Sequence, residues 1–243
     1  MLQLILTDFD GTLFPKEKQE LSGEFVQKII TLTDKGVYFA VNSGRPYGTL
    51  KKLLAPLINR TVFICNDGAQ IMYKNCLLYK NPICAIKANE ICHKANINTL
   101  KPFAALRERN MPITEDIMAK KRLFGEDIYK LIFVKNNPLT EEVNEVKAIA
   151  EEKGFRICYE DAEYLEFCAK SSDKGSATEF LKKKFNITGE TVAFGDTTGD
   201  YAMFEKADKV YIPSTAKFSY KGGKTVEDVQ AFIINEFSKF FLL

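Results

Sequence analysis

The sequence predicts an α/β fold with a doubly wound parallel sheet, interrupted by a separate α+β module. In the first part of the chain, short apolar runs alternate with amphipathic stretches in the order strand, helix, strand, helix, strand. This alternation is typical of a parallel sheet with helices on both faces. The pattern stops after Pro82 and resumes near Tyr164. We therefore expect residues 1–82 and 164–243 to form one core and residues 83–163 to form an inserted domain.

The composition is that of an ordinary globular protein. The 243 residues are 46% hydrophobic and 27% charged, which fits a soluble chain long enough for two units. The 34 basic and 32 acidic residues give a formal charge of +2, too balanced to favour a nucleic acid partner. There is neither a run of about 18 apolar residues for a membrane span nor a signal peptide pattern. The six cysteines lack C-x-x-C spacing, so we expect mostly buried free thiols in a reducing cytoplasm.

Caps and turn residues delimit the elements predicted for the first segment. Ser22 is a typical N-cap and Gly36 a typical end for a helix whose apolar side chains recur at helical spacing. Lys74 and Asn75 separate two short apolar runs, which predicts a β-hairpin. The expected elements are strands at 2–6, 37–41, 61–65, 70–73 and 76–79 and helices at 22–35 and 46–57.

The same criteria predict the elements of the other two segments. In the more charged module we expect helices at 86–98 and 139–153 and strands at 128–134 and 155–159. In the last segment we expect strands at 164–169, 191–194 and 210–212, a helix at 174–185 and a closing helix from Val226 onward. The apolar end of the chain, Phe237 to Leu243, is expected to finish this helix and pack on the core.

The first strand ends in two carboxylates, Asp8 and Asp10, followed by Gly11. A buried strand should not end in unpaired charges, because burying them costs a great deal of free energy. Two residues apart in an extended chain, these side chains point to the same side, and Gly11 lets backbone N–H groups approach a ligand. Ligands bind at this end of the strands in open α/β sheets. Paired carboxylates there favour a hard divalent cation, and Mg²⁺ with a phosphate fits best.

Three further groups of polar residues follow predicted core strands or open helices. They are Ser43-Gly44-Arg45, Lys174, and Asp196 with Asp200. Taken singly, each has an ordinary explanation as a solvated, turn or capping residue. Together with the first pair, they supply a nucleophile, an acid/base, a metal site and a charge clamp, which are the parts that phosphoryl transfer requires.

In this order the motifs resemble those of the haloacid dehalogenase (HAD) superfamily, specifically the Cof-like phosphatases with a large, type IIB-like cap inserted after the second motif. The matching segments are residues 8–12, 41–46, 173–175 and 195–200. Four motifs in order are far more specific than any one of them. The resemblance implies a HAD-like Rossmannoid core, a cap domain formed by residues 83–163, and Mg²⁺-dependent hydrolysis of phosphomonoesters.

The resemblance also implies a role for each motif residue. Asp8 would attack phosphorus and form an aspartyl-phosphate, and Asp10 would protonate the leaving group and then activate water. Ser43 and Lys174 would complete the catalytic set by stabilising charge on the phosphoryl group. The implied phosphate-binding residues are Gly11, Ser43, Gly44, Arg45 and Lys174. The implied metal ligands are Asp8, Asp10 through its backbone carbonyl, Asp196 and Asp200, the last of which either supports the metal or holds Lys174.

Two residues depart from the pattern of this group. Gly199 replaces the asparagine of the usual G-D-x-x-N-D, which removes any side-chain contact from this position. Asp67 stands where the group usually has the asparagine of N-G-A. Two explanations are open for Asp67: it pairs with Arg45 and orients it, or it changes the choice of substrate.

The expected substrate is a small phosphorylated metabolite of the sugar phosphate kind, over which the cap would close to exclude water. In the cap, Lys120-Lys121-Arg122 either meets an anionic group or forms a solvated turn. Three alternatives stay open: a phosphomutase or phosphotransferase with the same residues, a receiver-like switch that keeps the phosphoryl group on Asp8, and a non-catalytic phosphate-binding protein. The oligomeric state, monomer or weak dimer, is also open.

Overall fold

The computed structural model describes residues 1–15, 20–119 and 125–237, so the basic run at 120–122 and residues 238–243 of the apolar end lie outside it. Within these ranges the chain forms thirteen strands in two sheets and eight α-helices. The strands are β1 (Leu2–Thr7), β2 (Tyr38–Asn42), β3 (Thr61–Cys65), β4 (Gln70–Tyr73), β5 (Cys76–Lys80), β6 (Leu100–Ala105), β7 (Asn110–Pro112), β8 (Lys130–Lys135), β9 (Phe155–Glu160), β10 (Tyr164–Ala169), β11 (Glu190–Phe194), β12 (Lys209–Pro213) and β13 (Lys224–Val226). The helices are α1 (Gly23–Asp34), α2 (Tyr47–Leu53), α3 (Ala85–Lys94), α4 (Glu115–Met118), α5 (Thr140–Glu152), α6 (Lys174–Lys184), α7 (Tyr201–Phe204) and α8 (Val229–Glu236).

The larger sheet has eight strands in the order β13-β12-β11-β1-β2-β3-β4-β5. The six strands from β13 to β3 are parallel, and the hairpin β4–β5 adds an antiparallel edge. This confirms the predicted doubly wound α/β fold. Strand β1 lies between β11 and β2, with Thr7 opposite both Phe194 and Val41. Because these three strands are parallel, the segments that follow them leave the sheet side by side, at the edge formed by the carboxyl ends of the strands.

Helices cover both faces of this sheet because successive side chains of a buried strand point to opposite sides. On one face, Ile5, Phe39 and Phe63 pack with apolar residues of α1, α2 and α8. On the other face, Leu4 and Leu6 pack with apolar residues of α6 and α7. The two layers hold the sheet, and hence the edge where β1, β2 and β11 end, between two apolar cores.

The smaller sheet has five antiparallel strands in the order β7-β6-β8-β10-β9, and α3 and α5 pack on one of its faces. It contains β10, whereas the sequence predicts this strand in the core, so the predicted boundary at residue 164 is wrong for β10. Leu165 and Phe167 point into the apolar core of the smaller sheet. A two-residue alternation shows that a strand has one buried face, but not which sheet it joins. Strands β6 and β7 were not predicted.

Two linkers connect the sheets, one after β5 and one after β10, and a side chain ties them together. The amide of Asn81 donates hydrogen bonds to the hydroxyls of Ser171 and Ser172 at 2.9 and 2.8 Å. From β9, Arg156 Nε donates to the carbonyl of Ser172 at 2.7 Å. The chain thus returns to the larger sheet through a linker that is bonded both to the outgoing linker and to the smaller sheet.

Most elements of the larger sheet lie where the sequence predicts them. Ser22 accepts a hydrogen bond from Phe25 N as the N-cap of α1. The closing helix begins later than expected, because residues 224–226 pair with β12 as a strand, and Asp228 then caps α8. All six thiols are unpaired, but Cys76 and Cys84 are exposed rather than buried. Among the described residues, no helix has both the length and the apolar character of a membrane span.

Candidate active site

The carboxylates of Asp8 and Asp200 are joined by the ammonium group of Lys174 at the edge where β1, β2 and β11 end. Lys174 Nζ donates hydrogen bonds to Asp8 Oδ1 at 2.6 Å and to Asp200 Oδ1 at 2.7 Å. All three side chains are buried. Lys174 is placed by the first turn of α6, where Asp173 is the N-cap and Asn42 Nδ2 donates to the Lys174 carbonyl at 3.0 Å. Residues from three of the four motifs thus meet in one ion-pair chain.

Asp196 lies beside this chain and completes a group of three carboxylates. One oxygen of each of Asp8, Asp196 and Asp200 lies within 4.8 Å of the others. Oδ2 of Asp200, the oxygen that does not accept from Lys174, accepts from the backbone N–H of Asp196 at 3.1 Å, and Thr12 Oγ1 donates to Asp196 Oδ1 at 2.8 Å. These contacts hold the three side chains that the resemblance implies as metal ligands; for Asp10 the implied ligand is the backbone carbonyl.

Gly11 fits this site for two reasons. Its φ of +79° lies in the left-handed region that favours glycine. A Cβ atom on this residue would lie 2.2 Å from Asp196 Oδ2. A side chain at position 11 would therefore require the Asp196 carboxylate to move.

The carboxylates outnumber the ammonium group in this cluster. Burial raises the pKa of Asp8 well above its usual value; Lys174 lowers it, and Asp200 and Asp196 raise it further. Burial also raises the pKa of Asp196. For Lys174 burial lowers the pKa, but the charges of Asp200 and Asp8 outweigh burial and raise it. Three oxygen donors with an excess of negative charge are a donor set that suits Mg²⁺.

Asp10 does not join this group, contrary to the expectation that its side chain points with that of Asp8 toward one ion. Strand β1 ends at Thr7, so the extended spacing from which we inferred the pair does not continue to Asp10. Its carboxylate is half-exposed and accepts two hydrogen bonds from Arg45, from Nε at 2.7 Å and from Nη2 at 2.6 Å. The alternative that Arg45 pairs with Asp67 is therefore wrong.

Ser43 and Gly44 follow β2 at the same edge. Ser43 is buried, its backbone N–H donates to the Ile64 carbonyl at 2.9 Å, and its Oγ accepts from Arg45 N at 3.2 Å. A Cβ atom on Gly44 would lie 3.2 Å from both carboxylate oxygens of Asp67. Ser43 and Gly44 thus lie between the Asp10–Arg45 pair and Asp67.

Asp67 is paired with Lys130 of the smaller sheet, a partner that was not predictable from the sequence. The ammonium group of Lys130, at the start of β8 in the smaller sheet, lies 2.9 Å from Asp67 Oδ2 and 2.5 Å from Glu166 Oε2 of β10. Asp67 stands out in the sequence because it departs from a family pattern. Lys130 and Glu166 carried no comparable signal, because a charged residue that alternates with apolar ones in a strand indicates a solvated face.

Comparison with known proteins decides the family. A family model for haloacid dehalogenase-like hydrolases matches residues 5–217. The chain belongs to this family. A Haemophilus influenzae protein assigned as a phosphatase is 27% identical over 229 residues, which cover 84% of each chain. The 5-amino-6-(5-phospho-D-ribitylamino)uracil phosphatase of Bacillus subtilis is 25% identical over 213 residues, covering 85% of this chain and 81% of that one.

Solved structures show the same fold. A structure from Eubacterium rectale has a TM-score of 0.83 at 22% identity and covers 99% of both chains. A HAD subclass IIB sugar phosphatase has a TM-score of 0.75 at 17% identity, covering 99% of this chain and 100% of that one. These two likenesses concern the fold alone. Together with the family match and the phosphatase relatives, they confirm the predicted resemblance, and this HAD-like hydrolase is a phosphatase.

Proposed function

We propose that this phosphatase hydrolyses phosphomonoesters of small metabolites with Mg²⁺, through an aspartyl-phosphate formed on Asp8. The observation that carries the proposal is the buried Asp8–Lys174–Asp200 chain beside Asp196. It supplies a carboxylate whose position is fixed and a cation that can pair with phosphate oxygens as charge develops. Asp8, Asp196 and Asp200 would hold Mg²⁺, which when bound offsets the repulsion between carboxylates and an anionic substrate.

In the first step, a carboxylate oxygen of Asp8 attacks phosphorus and the bond from phosphorus to the ester oxygen breaks. The leaving alkoxide takes a proton from the carboxyl group of Asp10, which Arg45 orients through its two hydrogen bonds. In the second step, water attacks the phosphorus of the aspartyl-phosphate and gives a proton to Asp10. The bond from phosphorus to Asp8 breaks, so phosphate is released and Asp8 is regenerated. Ser43, the amides of Gly11 and Gly44, and Lys174 would bind the phosphate oxygens.

The smaller sheet with its helices would act as the cap, covering the site and contacting the leaving group. Lys130 of β8 already contacts Asp67 of the larger domain. The relatives suggest which esters to test, because one is named for a phosphorylated ribitylaminouracil and another is a sugar phosphatase. We infer that the substrate is a phosphorylated sugar or a related polyhydroxy compound.

The test is hydrolysis of an aryl phosphate with and without Mg²⁺, followed by a panel of sugar phosphates and phosphorylated ribitylaminouracil. Asp8→Asn should abolish turnover, because an amide is a far weaker nucleophile, whereas Asp116→Asn, an exposed cap residue, should leave it unchanged. Mass spectrometry of quenched enzyme should find a phosphoryl group on the peptide that contains Asp8. Equal turnover by the Asp8 variant would contradict the mechanism. A stable phosphoryl group without turnover would favour the receiver-like switch, and transfer to an added sugar rather than to water would favour the phosphotransferase.

A further inference from the structure

Lys130 forms an ion triad that spans the two sheets. Its ammonium group contacts Asp67, from the loop after β3, and Glu166, from β10. The Lys130 side chain is 4% exposed, while those of Asp67 and Glu166 keep 17% and 16% of their surface open. Lys130 and Glu166 lie on the face of the five-stranded sheet opposite α3 and α5, because their neighbours Leu131 and Leu165 point into the helix-covered core. This face is turned toward the larger sheet.

The triad borders the loop proposed to bind phosphate. The backbone N–H of Asp67 donates to the Ser43 carbonyl at 3.1 Å. A Cβ atom on Gly44 would lie 3.2 Å from both Asp67 oxygens and 3.4 Å from Lys130 Nζ. A leaving group on a phosphate held at Gly44 and Lys174 would extend from the larger sheet toward the smaller one. It would therefore meet the triad close to the ester bond.

The charges of the triad do not balance, since two carboxylates face one ammonium group. Burial raises the pKa of Asp67, but the charges of Lys130 and Lys174 outweigh burial and lower it. Burial lowers the pKa of Lys130, but Asp67 and Glu166 outweigh burial and raise it. For Glu166, burial outweighs the charge of Lys130 and raises the pKa of the carboxyl group. An ionised carboxylate can only accept hydrogen bonds. The open carboxylate surface therefore suits hydroxyl or amino groups, which donate.

A leaving group that carries a second anion would bind unfavourably whether or not Lys130 moves. If it met the triad as it stands, it would face an excess of negative charge at short range. If it drew Lys130 toward itself, it would leave Asp67 or Glu166 partly buried without its partner, which is also unfavourable. Both effects weaken the binding of an ester with a second anionic group, and neither weakens the binding of a neutral ester.

We propose that Asp67, Lys130 and Glu166 form a charge filter that admits phosphate esters of neutral polyhydroxy alcohols or amino alcohols and rejects esters with a second anion beside the phosphate. The filter rests on the proposed function. It also gives Asp67 a role in the choice of substrate, one of the two explanations that the sequence left open.

The experiment compares glycerol 2-phosphate with 2-phosphoglycerate, which differ only in a hydroxymethyl group against a carboxylate on the carbon that bears the ester. We expect kcat/KM to favour the neutral ester by on the order of tenfold or more in the wild type. Glu166→Gln keeps the shape but removes one charge, so this preference should fall at least about threefold. Glu163→Gln removes the same charge from an exposed cap residue and should keep the wild-type preference. Asp67→Asn is a second variant with the same expected direction, and circular dichroism checks that each variant is folded.

The two esters are also tested as competitive inhibitors of aryl phosphate hydrolysis, so that selection is measured even if turnover is slow. Equal or better recognition of 2-phosphoglycerate by the wild type would overturn the filter. So would recognition of neither ester, or a preference unchanged in both Glu166→Gln and Asp67→Asn, as expected if the triad only joins the two domains. Absence of any aryl phosphate hydrolysis would instead contradict the proposed function.

Discussion

Replacing Lys174 by methionine removes the ammonium group between Asp8 and Asp200 while keeping a side chain of similar length. Both carboxylates are then left buried without their shared partner. Removing one member of a buried ion pair destabilises a protein by about 3–5 kcal/mol. At about 2–4 °C per kcal/mol for a chain of this size, the melting temperature should fall by roughly 10 °C at neutral pH without Mg²⁺.

The stability that Lys174→Met loses should depend on pH and should be smaller in acid. Burial already raises the pKa of Asp8 in the wild type, and loss of the ammonium group raises it further. A carboxyl group with a higher pKa in the folded than in the unfolded state binds its proton more tightly when folded, so stability rises as the pH falls through the folded pKa. The difference in melting temperature between the wild type and Lys174→Met should therefore be largest at neutral pH and smaller at about pH 5.

Thermal unfolding followed by circular dichroism measures both effects. Lys183→Met is the matched control, because Lys183 lies on the same helix and its ion pair with Glu179 is exposed. Such surface pairs contribute only about 0–1 kcal/mol, so this control should melt within a few degrees of the wild type. If Lys174→Met melted with the control at neutral pH, or if its deficit grew in acid, the buried pairing would not have the role that the structure indicates.

Two further predictions concern Gly11 and Asn81. Gly11→Ala should weaken Mg²⁺ binding by on the order of tenfold, because its Cβ would displace Asp196. Gly222 has a similar positive φ, 84° against 79°, but lies in open space, so in a calorimetric titration Gly222→Ala should bind Mg²⁺ as the wild type does. Asn81→Ala loses both hydrogen bonds between the linkers and should lower the free energy of unfolding in urea by about 1–2 kcal/mol. Asn144 is exposed, so Asn144→Ala should change this free energy by less than about 0.5 kcal/mol. Equal effects of the two variants would contradict a stabilising role for the hydrogen bonds between the linkers.

Local structure was predictable where a short stretch carries its own signal. Residues Thr61–Cys65, a threonine followed by four apolar residues, form β3 with the predicted bounds. Lys74 and Asn75 both have positive φ in the hairpin turn, at 49° and 61°. Ser22 caps α1 through its side chain. In each case the residues that decide the conformation lie within a few positions of one another.

The site was predictable in part. That Asp8, Lys174, Asp196 and Asp200 come together was expected from the resemblance of four motifs to one family, and the position of β1 between β2 and β11 brings them to one edge. The partners of individual charges were not predictable. Arg45 was a candidate for Asp67 but lies on Asp10, because opposite charges of similar reach are interchangeable until the backbone fixes their positions.

By itself, then, the sequence determined the α/β order of the core, the local caps and turns, and the set of motif residues, since these depend on neighbours along the chain or on a family pattern. Only the tertiary structure decided that β10 belongs to the inserted sheet, that Asp10 turns to Arg45, and that Lys130 reaches Asp67. Each of these depends on which strands lie side by side. Strand pairing joins residues far apart in the chain, and a local alternation of apolar and polar residues is compatible with more than one partner.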